Sequence, residues 1–364
     1  MSSKNISDID RNLSVQSILP EGVRLHSVLE PPFGIYGLFE PGRGVFERMP
    51  KYMQENGSIN DGARRLMRHT SGGRVRFRTD SRVIAIKVDL GMRTVFSHMA
   101  ATGVCGFDMY ACRDGLNRYV KTFVPPQDTS VTAYEGVHTF EEARERIITI
   151  HMPLYNEVKE LYIGLDEGAS LLPAPEYTCP KPVVFYGSSV TQGACASRPG
   201  MSHTNILSRI LDCDTVNFGF SGSDRGEPAL AEYMAKLPMS VFVHGYGYNA
   251  PSLEHYAATY YPFYRIIREQ NPTLPIIMVS NPVCCDIKDP ARTDYLTRRR
   301  AITIRAYTNA LESGDKNVYF RDGFDALGEL DACDATVDGT HPNDMGFMNM
   351  ARQLYPLLKK LLSE

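Results

Sequence analysis

Five residues in the second half of this chain have the chemistry for acyl transfer. They are Ser189 in "YGSSVTQG", Gly222 in "VNFGFSGS", Asn249 in "HGYGYNAPS", and the pair Asp338 and His341 in "VDGTHPNDMGF". A serine hydroxyl is a weak nucleophile until a base takes its proton, and the base needs a third group to orient it. Asp and His three residues apart on one loop can set a carboxylate against Nδ1 and leave Nε2 facing a serine. The backbone N–H groups of Ser189 and Gly222, with the side-chain N–H of Asn249, would supply three donors for a tetrahedral oxyanion. Each motif alone has a plainer reading: "GSS" as a turn, Asp-x-x-His-Pro as a surface loop, Gly222 and Asn249 as residues that satisfy local backbone geometry. Their joint occurrence, each beside a strand-like run of one alternating domain, favours the catalytic reading.

Those runs belong to a regular rhythm. After Val183 the chain reads strand "VVFYG", helix "SHTNILSRIL", strand "DTVNFGFSG", helix "EPALAEYMAKL", strand "SVFVHGY", helix "YYPFYRIIREQ", strand "PIIMVSNP", helix "RRRAITIRAYTNAL", strand "NVYFRDG" and a last helix "NDMGFMNMARQLYPLLKKLL". Such alternation predicts a parallel sheet with helices on both faces and a ligand site beyond the carboxyl ends of its strands. Ser189 then sits where the first strand turns into a helix, close to that helix's positive end.

The first half has a different texture. "GRVRFRTDSRVIAIKVDL" alternates with period two on both sides of Asp80-Ser81, and further short strand-like runs follow without helical patterns between them. This predicts a β-sandwich or jelly roll. "LPAPEYTCPKP" (172–182) holds four prolines in eleven residues and reads as a linker, so the expected domains are 1–175 and 181–364.

At 364 residues and 43% hydrophobic content, the chain is long enough for two cores. Its net charge of -3 lacks any like-charge run, which argues against nucleic-acid and membrane-surface partners. The polar N-terminal stretch "MSSKNISDIDRNLSVQS" lacks the apolar core of a signal peptide, and the expected location is the cytoplasm. The eight cysteines form no CxxC and no zinc spacing with histidine, so reduced thiols and no bound metal are expected.

Taken together, "GSSVTQG", "VNFGFSG", "GYGYNA" and "DGTHPN" resemble the four blocks of the SGNH, or GDSL-type, hydrolase family, over about Val183 to the C-terminus. The resemblance implies a flavodoxin-like α/β fold and no cofactor. It also implies Ser189 as nucleophile, Asp338 orienting His341 as base, and an oxyanion hole of Ser189, Gly222 and Asn249. Two positions depart from the family pattern: Ser188 stands where the first block carries aspartate, and Ala250 follows Asn249 where the third carries aspartate after its asparagine. "GFDMY" (106–110) is similar to the Gly-x-Asp-Leu-Tyr signature of a β domain that precedes some bacterial esterases of this family, with Met109 for leucine.

The resemblance implies a small-molecule or oligosaccharide ester as substrate, foremost an O-acetyl group on a carbohydrate. A general short-chain carboxylesterase or lipase-like enzyme is the alternative, and a carbohydrate-binding protein with a decayed site is a third reading. Tyr246, Tyr248 and Arg225 are the candidate substrate contacts. Tyr256, Tyr260 and Tyr264 recur at spacing four and are expected to pack one helical face onto the sheet. His244 is expected inside the domain, hydrogen-bonded, and Asp334 is a less favourable rival to Asp338.

Overall fold

A computed structural model describes residues 17–40, 44–113, 115–283, 290–328 and 332–363. The first half forms two antiparallel sheets. One has the order Val23–Ser27, Glu160–Asp166, Val83–Asp89, Ala133–Thr139; the other runs Leu171–Leu172, Arg74–Thr79, Arg146–His151, Phe107–Arg113, Leu116–Phe123, with Gly34–Tyr36 also paired to Arg74–Thr79. Inward residues of both sheets, among them Val75, Phe77, Ile84, Ile86, Ile148 and Ile163, meet in one apolar core, which makes the pair of sheets a sandwich.

The second half builds a five-stranded parallel sheet in the order Cys213–Gly219, Cys179–Gly187, Val241–Gly245, Ile276–Val279, Val318–Arg321. This is the 2-1-3-4-5 order of flavodoxin-like sheets, whose ligand crevice opens at the switch between the first and third strands. "VVFY" is apolar without alternation because both faces of its strand are covered: Val183 and Phe185 enter one core cluster, Val184 and Tyr186 the other. Helix Leu253–Gln270 buries Tyr256, Tyr260 and Tyr264 toward the sheet, as their spacing predicts.

The two halves are not separated by water. One core cluster runs from the sandwich into Val183, Phe185 and the helix Asp344–Ser363, while Met49, Met53, Ile59 and Leu66 pack on the opposite side of the parallel sheet against Tyr186 and Phe218. Strand "RVRFRT" alternates as expected, yet Arg74 and Arg76 on its polar face are also buried. Arg74 donates to the Tyr177 hydroxyl at 2.7 Å and the Thr215 carbonyl at 3.2 Å, and pairs with Asp214. Arg48, fully buried, donates to the carbonyls of Asn217 and Gly219 at 2.9 and 2.7 Å. Burial lowers its guanidinium to about 9, only partly offset by Tyr155.

The signature "GFDMY" sits in the same seam. Asp108, with no exposed surface, accepts from the Gly200 N–H at 2.9 Å and from Arg198 at 2.8 Å, and Tyr110 bonds Arg198 as well. A Cβ on Gly200 would lie 2.7 Å from the Asp108 carboxylate and 2.6 Å from the Tyr110 hydroxyl, so only glycine admits this approach. Cys105, Cys112, Cys179, Cys195, Cys213 and Cys333 carry free thiols, and Cys284 and Cys285 lie outside the described residues. Among the described residues, no helix is long and apolar enough to cross a membrane.

Candidate active site

The first parallel strand ends at Gly187, and Ser188 caps the next turn, its hydroxyl accepting from the Val190 N–H at 3.2 Å. This neutral cap stands where the related block has a carboxylate. The helix it starts is one turn long, Ser189–Gln192, and stops at Gly193 with φ +103°. That is shorter than the sequence suggests, and it limits the dipole available to Ser189 to what one turn can supply.

Ser189 Oγ lies 3.0 Å from His341 Nε2, and His341 Nδ1 lies 2.7 Å from Asp338 Oδ2. The loop between them folds on itself: the other Asp338 oxygen accepts the N–H groups of Thr340 and His341 at 3.0 and 2.8 Å. Burial pushes the Asp338 carboxyl up, but the bonds from the His341 backbone and imidazole outweigh it and hold the group below its ordinary range. Asp338 therefore stays an acceptor and fixes which imidazole nitrogen faces the serine. Asp334 contributes only a backbone carbonyl, to Asn343 at 2.6 Å. Arg292, on helix Pro290–Glu312, braces the loop through the Gly339 carbonyl at 2.9 Å.

Gly222 takes φ +67°, and the side it would present a Cβ to is open space. Its loop is held by Gln192, whose Oε1 accepts the Ser221 N–H at 3.0 Å while its amide donates to Leu154 at 3.0 Å. Asp224 ties this loop to the next one, accepting the Gly247 N–H at 3.1 Å. Burial raises the Asp224 carboxyl well above its ordinary value. Asn249 follows on that second loop, half-buried.

Not every candidate reaches the cleft. Tyr246 is wholly buried, its hydroxyl paired with Thr259 at 3.0 Å, so the expectation that it contacts substrate is corrected: it packs among Tyr186, Tyr256 and Tyr260. Arg225 is exposed, and its carbonyl accepts from His255 at 2.8 Å. Tyr248 donates to the Pro282 carbonyl and lines, with Ser188, Val190 and His203, a cavity of about 30 Å³. That space takes a water but no acyl chain. His244 is inside the domain, held by edge contact with Tyr260 at 4.1 Å, and both ring nitrogens lack partners among the described residues.

Three positioning groups come from the sandwich half and were not legible in the sequence. The Tyr155 hydroxyl donates to the Ser189 carbonyl at 3.2 Å. Phe96 packs edge-on against Tyr155 at 5.5 Å, and His98 on the same loop brings its ring to 5.6 Å from that of His341. No spacing rule marks His98, which owes its place to a contact between residues 243 positions apart along the chain.

Residues 180–359 match the GDSL-like lipase/acylhydrolase family, and residues 30–171 match the N-terminus of the esterase SGNH-hydrolase type. A solved structure described as a GDSL-like lipase from Bacteroides ovatus is 25% identical, with TM-score 0.84 over 94% of this chain and 98% of that one. A salicylyl-acyltransferase from a tetracycline biosynthetic pathway is 20% identical, with TM-score 0.74 over 93% and 98% of the two chains. An acetyl xylan esterase from the rumen bacterium Butyrivibrio proteoclasticus is 12% identical, with TM-score 0.57 over 94% and 99%. The latter two share the fold. No curated protein matches the chain.

Proposed function

Because the chain belongs to the GDSL-like lipase/acylhydrolase family and is a carboxylic ester hydrolase, we propose that it removes O-acetyl groups from a carbohydrate through an acyl-enzyme on Ser189. One observation carries the mechanism: the Ser189–His341–Asp338 relay, at 3.0 and 2.7 Å.

His341 Nε2 takes the hydroxyl proton as Ser189 Oγ attacks the ester carbonyl, and the backbone N–H groups of Ser189 and Gly222 with the Asn249 amide receive the oxyanion. His341 then gives its proton to the departing sugar oxygen. Water, deprotonated by the same nitrogen, releases acetate and restores the serine.

The acetyl xylan esterase, which shares the two-part fold over nearly its whole length, supports the sugar acetate. The test is acetate release from acetylated oligosaccharides, alongside hydrolysis of p-nitrophenyl esters of graded length, for wild type and Ser189→Ala. Serine-dependent release from the sugars is expected. Serine-dependent turnover of the simple esters alone would keep the mechanism and discard the sugar; equal background rates on every ester would discard both and bring forward a carbohydrate-binding role.

A further inference from the structure

Three side chains that no spacing rule connects converge at the mouth of the cleft. An imidazole nitrogen of His98, the Cys195 sulfur and an imidazole nitrogen of His341 all lie within 4.8 Å of one another. The three come from separate segments: the loop after strand Val83–Asp89, the loop after the Ser189 turn, and the triad loop. Cys195 is held where it is by its surroundings. It adopts φ +69°, its sulfur contacts the His98 carbonyl at 3.5 Å, and two residues on Ser197 is anchored to Asp344 at 2.9 Å and by Thr102 at 2.5 Å.

We infer that His98, Cys195 and His341 form a binding site for a borderline-soft divalent cation, zinc being the type, and that its occupancy switches the hydrolase off. Two imidazoles and a thiolate are a zinc donor set, poorly suited to magnesium or calcium. Zinc bonds of about 2.0 to 2.3 Å in a tetrahedron put donor atoms roughly 3.4 to 3.6 Å apart. The present spacing closes to that with a movement of about 1 Å, which the exposed His98 ring can make. Binding releases the thiol proton to solvent, and the fourth position is left for water. Whichever His341 nitrogen takes the metal, catalysis stops: at Nε2 the ion occupies the lone pair that accepts the Ser189 proton, and at Nδ1 it displaces Asp338.

The metal site stands on geometry, whereas the loss of activity rests on the reading of His341 as the base. Titration calorimetry of the metal-free full chain with zinc chloride should show one site per chain, and His98→Gln and Cys195→Ala should each weaken it by at least about tenfold. Cobalt(II) loaded in place of zinc should show a sulfur-to-metal charge-transfer absorption that Cys195→Ser abolishes. In parallel ester assays zinc should inhibit wild type, a chelator should reverse it, and Cys195→Ala should resist. Absence of one-site uptake, or uptake that survives both substitutions, would overturn the site. Uptake as expected with undiminished turnover would overturn the switch, and uptake by a chain inert to every ester would uphold the site while refuting the hydrolase assignment.

Discussion

The carboxyl edge of the parallel sheet and the seam between the two halves both gather polar groups, and they treat them in opposite ways. At the seam, Arg48, Arg74 and Asp108 are closed off from water with carbonyls, hydroxyls and counter-charges at bonding distance. At the edge, Gly222 faces open space and Ser189 is only 6% exposed but aimed at His341. Buried polar groups stabilise a fold only when their partners are complete. A reacting centre needs donors held in place with nothing yet bound to them. The seam is mostly satisfied, with Arg48 Nε, Arg76 and His151 keeping nitrogens without partners among the described residues, and the edge is poised.

Substitutions can break that contrast from either side. The largest effect is expected from His341→Ala, about 10⁴- to 10⁶-fold in kcat on a simple ester, with thermal unfolding little changed. Asp338→Asn keeps the loop but not the orienting charge, and should lower kcat by about 10⁴-fold in the same assay. Asn249→Ala should lower kcat about 10²- to 10³-fold with KM nearly unchanged; a loss confined to KM would remove Asn249 from the oxyanion hole.

At the seam the expected signature reverses. Asp108→Ala leaves Arg198 and the Gly200 N–H without their acceptor and should reduce unfolding free energy by about 3 kcal/mol, read from denaturant titration. The folded remainder should keep its kcat. A collapse of kcat well below the melting temperature would show that the seam positions the edge and would dissolve the contrast.

The last test concerns pH. Burial lowers His244 to about 3 and His203 to about 4, and burial with nearby arginines lowers His69 to about 3. These groups are neutral when folded and take up a proton on unfolding once pH falls below about 6.5. Their stabilising contribution is therefore complete above that pH and is lost as pH falls toward the folded values, by up to about 1.4 kcal/mol per unit per group. His244→Phe should flatten the decline of melting temperature between pH 6.5 and 4 by one proton's share.

How much of this could be read from the sequence follows the same division. The edge is built from short-range features: a strand end, a glycine with positive φ, an Asp and a His three residues apart. Period and spacing express the strand end and the Asp–His pair, which is why Ser189, Asp338 and His341 stand out in the sequence. The seam is built from pairings such as Arg48 with Gly219, 171 residues apart, and Asp108 with Gly200, 92 apart. Local pattern cannot encode such partners, so the period-two alternation of "RVRFRT" gives no sign that Arg74 and Arg76 are buried. Tyr246 was misplaced for a related reason. It neighbours Asn249 in sequence, but the chain turns between them and sends its ring into the aromatic core. His98 combines both difficulties: an exposed loop residue whose meaning arises only on docking.

The separation of Ser189 from His341 also has a consequence in time. Ser189 is synthesised 152 residues before His341, and the helix that follows, Asp344–Ser363, supplies Phe347, Met350 and Leu358 to the core shared by both halves. A nascent chain therefore carries a serine without its histidine partner and an apolar flank of helix His203–Leu211 that is not yet covered. The Ser189–His341 contact and the burial of that face arrive together, so an incomplete chain lacks the first and offers the second to chaperones.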